Sequence, residues 1–129
     1  MGYCIDVNRG TFSFDVSKSN DVLQSIKDGI KNAKITEERW ISFDVLLNSE
    51  TIEEAFKELR FELCIDNDKY KIDYFSGEKF AGYEEQLFKC IAPYVNDGYL
   101  EYLGEDGDKW RYVFKNGECK EVYPKIIWE

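Results

Sequence analysis

Hydrophobic and polar positions alternate most regularly at the end of the chain. Gly98–Glu129, GYLEYLGEDGDKWRYVFKNGECKEVYPKIIWE, reads as three strands joined at Asp106-Gly107 and Asn116-Gly117. Earlier, Tyr3–Val7 and Thr11–Val16 are two further β-like runs. In the second, Phe12, Phe14 and Val16 share one face. The glycine-containing turn Asn8-Arg9-Gly10 between them predicts a hairpin. Val22, Leu23, Ile26 and Ile30 then recur at helical spacing, which predicts a helix over 21–34 behind the capping cluster 17–20.

The stretch 36–47 fits two templates. Trp40, Phe43 and Leu47 fit a helix face, whereas Ile41, Phe43 and Val45 fit a strand face. β-Branched and aromatic weight favours the strand. Thr51 followed by Glu54 is a capping box, opening a helix to about residue 60 with Ile52, Ala55, Phe56 and Leu59 inward. Residues 61–65 and 70–75 form a second hairpin across Asp66-Asn67-Asp68-Lys69. Leu87, Cys90, Ile91 and Tyr94 mark a helix over 83–93 that Pro93 closes. The expected architecture is one α+β domain over 1–129: an antiparallel meander sheet of six or seven strands, with about three helices packed on one face.

The register of the terminal meander decides its faces. With two-residue turns, Phe114 faces Cys119, Tyr112 faces Glu121, Trp110 faces Tyr123, and Glu101 faces Tyr112. Two carboxylates then flank Tyr112 on an aromatic face. With a three-residue loop at Glu105-Asp106-Gly107, Tyr102 faces Trp110 and the first strand turns over.

Charge changes the picture most in the middle of the chain. The whole carries 26 acidic and 17 basic residues, net −9. Residues 37–68 hold ten acidic and three basic of these, net −7. Glu50, Glu53 and Glu54 lie in a first helical turn, where the helix dipole favours them. The remaining reading is an acidic face for a basic partner, drawn from Glu53, Glu54, Glu58 and Glu62. No segment is basic enough to track phosphates, so no direct nucleic-acid contact is expected.

Candidate chemistry is sparse. The chain has no histidine and four dispersed cysteines. No short-spaced pair points to zinc, and buried core thiols are expected. Asp66 and Asp68 begin like a calcium loop, but Gly77 stands where the terminal glutamate belongs. No phosphate loop, dinucleotide fingerprint or nucleophile elbow occurs, so no cofactor and no enzymatic activity are expected. Met1-Gly2-Tyr3-Cys4 leads into β-like sequence without a basic–apolar leader, and no apolar run spans a membrane. A cytoplasmic protein is therefore expected.

The run Gly104-Glu105-Asp106-Gly107-Asp108-Lys109-Trp110-Arg111-Tyr112-Val113-Phe114, closing with Tyr123–Glu129, resembles the ends of short acidic bacterial proteins that have no assigned activity. The resemblance covers about the last quarter of the chain and implies a bacterial or phage source. It transfers no functional residues.

These features lead to an interaction domain of inhibitor or immunity type, neutralising a basic partner such as a nuclease. Its aromatic–acidic surface would join Glu101, Glu105, Asp106, Asp108, Trp110, Tyr112 and Glu121 to the four glutamates of the middle segment. The alternative is a small-molecule or nucleotide module that stacks its ligand on Trp110 and Tyr112.

Overall fold

The computed structural model describes residues 5–36, 41–75, 83–104, 106–125 and 128. The architecture is α+β, but the strands form two antiparallel sheets rather than one meander. The larger sheet has the order β1-β5-β6-β7, from β1 (Ile5–Gly10), β5 (Gly98–Gly104), β6 (Lys109–Lys115) and β7 (Glu118–Val122). The smaller has the order β2-β4-β3, from β2 (Ser13–Asp15), β4 (Lys69–Phe75) and β3 (Phe61–Asp66).

The expected first hairpin does not form. β1 pairs with β5, whereas β2 pairs with β4, so the chain changes sheets at Thr11-Phe12. Backbone bonds hold this crossing: Thr11 N–H donates to the Tyr99 carbonyl at 2.8 Å, and Asn96 N–H to the Ser13 carbonyl at 2.9 Å. The two passing segments touch through glycine. A Cβ on Gly98 would meet the Thr11 carbonyl oxygen and hydroxyl at 2.8 Å.

Turn chemistry explains the short connections. Asn67 and Asp68 have φ of 53° and 61°, and Asn116 and Gly117 have 54° and 79°, the left-handed pairs that a two-residue turn needs. The Asn116-Gly117 turn falls where expected, and β3 and β4 each extend one residue into the expected turn, to Asp66 and from Lys69.

The helices are α1 (Ser19–Lys31), α2 (Phe43–Leu47), α3 (Ile52–Glu58) and α4 (Glu84–Ile91), the last continuing as a 3-10 turn through Tyr94. α4 lies within its predicted range, and α1 overlaps the predicted 21–34 but begins earlier, at Ser19, and ends earlier, at Lys31. α3 begins after Thr51, whose hydroxyl accepts from Glu54 N–H at 3.2 Å, as the capping box requires. The strand expected around 41–47 is a correction: 43–47 is helical. Ser42 caps it, accepting from Val45 N–H, and Leu46 is fully buried while Val45 is 47% exposed. An alternating strand would have buried Val45 with Phe43. The range 37–40, including Trp40, lies outside the described residues, as do Cys4 and the loop 76–82.

One aromatic cluster joins both sheets. Phe88 of α4 meets Phe61 of the smaller sheet at 6.1 Å between ring centroids, and Tyr112 and Phe114 of the larger at 4.9 and 5.6 Å. It also meets Phe12 at the crossing, at 6.4 Å. Cys119 is buried and Cys64 and Cys90 are half-buried, all as free thiols. No described helix is long and apolar enough to cross a membrane.

Two substitutions test this frame by urea unfolding. Phe88→Ala removes the ring shared by both sheets and should cost about 3–5 kcal/mol. Gly98→Ala forces the crossing segments apart and should cost about 1–3 kcal/mol although it adds only a methyl group.

Candidate functional site

The β5–β6 turn sets the site. Gly104 N–H donates to the Asp108 carbonyl at 2.8 Å, and Gly107 N–H to the Gly104 carbonyl at 3.0 Å. The connection is therefore the three-residue one, with Gly107 at φ 90°. Tyr102 faces Trp110, Leu100 faces Tyr112, and Glu101 faces Arg111. Beyond the next turn, Phe114 faces Cys119 and Tyr112 faces Glu121, as two-residue geometry predicts.

This register corrects the placement of Glu101. It leaves the aromatic face and sits on the opposite side of the sheet, 4% exposed. There Arg111 donates to Glu101 Oε1 from Nε and Nη2, both at 2.9 Å. The Arg111 guanidinium also lies over the Tyr99 ring, 4.6 Å from its centroid. Glu101 is thus a paired element of the sheet and does not flank Tyr112.

The aromatic face itself is largely core. Tyr102 and Tyr112 are fully buried, and Tyr102 stacks on Trp110 at 5.6 Å. One end of the face remains open, as a groove of about 640 Å³ lined by Asp106, Gly107, Asp108, Lys109, Trp110, Glu121, Tyr123 and Pro124. Trp110 forms its apolar wall with only 8% exposure, and Tyr123 is 65% exposed. Asp106 and Asp108 sit on the turn, where Asp108 N–H donates to Asp106 Oδ1 at 3.2 Å.

Glu121 couples the groove to the core. Burial pushes the Tyr112 hydroxyl well above its usual range, and the Glu121 and Glu84 carboxylates add to the shift. Trp110 acts in the opposite direction. The Tyr123 hydroxyl is also raised, by desolvation first and then by Glu121. Glu121 therefore acts on the hydroxyls of both a buried tyrosine and an exposed one. Chemically, the groove offers carboxylates beside aromatic surface, a setting for an ammonium or guanidinium group. Among the described residues, no group of Cys, Asp or Glu has an arrangement able to hold a metal ion.

The structure brings together Asp106, Asp108, Trp110, Tyr112 and Glu121. It does not bring Glu53, Glu54, Glu58 or Glu62 to them, and Glu105 lies outside the described residues. Most of the middle acids hold the fold. Glu53 accepts from the Tyr70 hydroxyl at 2.7 Å, tying α3 to β4. Glu54 belongs to the cap of α3, where its carboxylate accepts from Glu50 N–H at 3.5 Å. Glu58 accepts from Ser42 N–H at 2.8 Å at the start of α2. Glu62 is exposed on β3. Lys109, Tyr123 and Pro124 also line the groove, beyond the residues expected there from the sequence. The signal for Tyr123 was present, since it continues the two-residue period of Cys119 and Glu121.

No family model, curated protein or solved structure matches this chain.

The Tyr70–Glu53 bond has a pH signature. Burial and Glu53 push the Tyr70 hydroxyl up from 10.0 to about 12. The protonated phenol is the form favoured in the fold, so its stabilisation is complete below pH 10 and is lost as pH rises toward 12. Tyr70→Phe should cost about 1 kcal/mol at pH 7. The gap between the two proteins should shrink across that alkaline window, as read by urea midpoints. On the other face, Arg111→Met strips the buried Glu101 of its guanidinium partner and should cost about 1–3 kcal/mol in the same assay.

Proposed function

We propose that this protein is a non-enzymatic interaction domain that binds a basic protein, in the manner of an inhibitor or immunity protein directed at a partner such as a nuclease. One observation carries the reading. Three carboxylates, those of Asp106, Asp108 and Glu121, share a groove with Trp110 and Tyr123, and among the described residues Lys109 is the one cation in its lining. A lysine or arginine side chain of the partner would enter there, its charge against the carboxylates and its stem along the indole. The net charge of −9 supports fast encounter with a basic surface.

The acidic middle segment has a smaller part in this proposal than composition alone implies. Glu53, Glu54 and Glu58 already accept hydrogen bonds within the fold. Their charge adds to the long-range field, while the groove supplies the contact.

A second reading has its own support. A groove of about 640 Å³ falls within the size range of small-ligand sites. Its acidic lining favours a small organic cation over a nucleotide, whose phosphates the same carboxylates would repel.

The test is direct binding of arginine amide and of its neutral isostere citrulline amide, followed by NMR shifts of the Trp110 indole. Arginine amide should move the Trp110 signal and citrulline amide should not. Glu121→Gln combined with Asp108→Asn should weaken the arginine effect about tenfold, and added salt should weaken it in the native protein. Equal responses to both amides would sink the reading.

A further inference from the structure

Among the described residues, two sheets with open ends present four edges: β1, β7, β2 and β3. Exposed edges invite another strand, and natural edges are commonly bulged or short to prevent it. Two of these edges have such a feature in the edge strand itself, and a third has an irregular pairing whose extra residue, Asp73, lies on its partner β4. β1 is bulged between Val7 and Arg9. The pairing of β3 with β4 slips in register between Glu62 and Leu63. β2 spans only Ser13–Asp15. β7 differs, because its pairing with β6 runs from Glu118 to Val122 with uniform register.

The ladder also determines which backbone groups of β7 point outward. The two-residue turn at Asn116-Gly117 makes Lys115 and Glu118 a hydrogen-bonded pair, and the pattern then alternates. Lys120 and Val122 direct their backbone groups at β6. Cys119 and Glu121 direct theirs away from it. Among the described residues, no backbone bond occupies the N–H or C=O of either.

A third observation concerns the side chains. β7 is flanked by a groove on each face of the sheet. On the core side, Glu121 and Tyr123 line the acidic–aromatic groove with Trp110. On the other side, Glu118, Lys120 and Val122 line a second groove of about 370 Å³, whose remaining wall is Val113, Lys115 and Asn116. A strand laid beside β7 would send alternate side chains to opposite faces, one set toward each groove.

We propose that β7 is a docking edge, to which an extended segment of the basic partner adds as a further strand of the four-stranded sheet. The proposal rests on the groove reading above and specifies how the partner reaches the groove. The backbone of Cys119 and Glu121 supplies affinity, and the two grooves supply specificity. Positions facing the core-side groove take lysine or arginine. Positions facing the second groove take small apolar residues, which rest against Val113 and Val122. A second copy of β7 is a poorer occupant, since any antiparallel pairing through the outward groups of Cys119 and Glu121 lays a second Glu121 on the face of the acidic groove.

The probe is a capped peptide of alternating lysine and valine, titrated into the native protein. Two derivatives are N-methylated at every second residue, one at the lysines and one at the valines. N-methylation removes donors without touching side-chain charge. Only one phase can face β7, so one derivative should bind about tenfold more weakly and the other within about twofold of the parent. The amides of Cys119 and Glu121 should gain protection from hydrogen exchange on binding. Glu121→Pro removes an outward N–H while keeping the ladder to β6, and should bind more weakly than Glu121→Gln.

If both derivatives bind like the parent and the two amides are unchanged, strand addition is overturned while the groove reading stands. If arginine amide binds but the peptide does not, the outcome is the same. If neither binds, both proposals fall. Concentration-dependent dimerisation that protects Cys119 and Glu121 without peptide overturns the choice of occupant.

Discussion

A single ring holds the two halves of this fold in one core. Phe88 reaches Phe61 on one side and Tyr112 and Phe114 on the other, with Phe12 beside it. Neither sheet has enough strands to enclose a core alone, and each leaves an apolar face to cover. α4 covers both at once because Leu87, Phe88 and Ile91 are all fully buried. The helix can do this because the chain crosses between the sheets at Thr11-Phe12, directly beside it. The glycine at position 98 lets that crossing pass closely enough for Phe12 to join the cluster.

The same constraint sorts the acids. The aromatic face has two carboxylates beside it: Glu84, buried on α4, and Glu121, at the open end. Glu101, one residue out of phase, is placed on the other face, where Arg111 holds it. The glutamates of α3 lie at helix ends and on a tyrosine hydroxyl, so their charge has local acceptor roles. An acidic composition is thus resolved into carboxylates engaged by the fold and a few that face a groove.

How much of this the chain reveals depends on how local the cause is. The type I′ turns, the cap at Thr51 and the helical spacing of α1 and α4 are short-range features, and they are legible in the residues. The register at Gly104–Asp108 was legible as a choice between two loop lengths, each with its own faces. What decides it is the burial of Tyr102 against Trp110 and Phe88, a tertiary effect. The helix at 43–47 was missed because five residues carry too few periods to separate templates, and the deciding partner, Glu58, binds Ser42 from sixteen positions away. The split into two sheets was missed for a similar reason. Nothing in Asn8-Arg9-Gly10 shows that β1 prefers β5 to its neighbour. Of the site, Trp110, Glu121 and the aspartates of the turn were legible, whereas the middle acids misled because charge alone does not reveal what a carboxylate already binds.

The pairing of β1 with β5 also governs how the chain must assemble. Ile5 finds its partner at Gly104, so the loop closed by that contact spans most of the chain. Contacts of such separation come late, after local hairpins and helices have paid the entropy of chain closure. The β3–β4 and β6–β7 hairpins and the α1 helix can form from neighbours alone. During synthesis, the first strand emerges long before its mate and waits with an open edge. Its bulge at Val7–Arg9 then has a kinetic role, since a bent strand is a poor template for other chains during that interval.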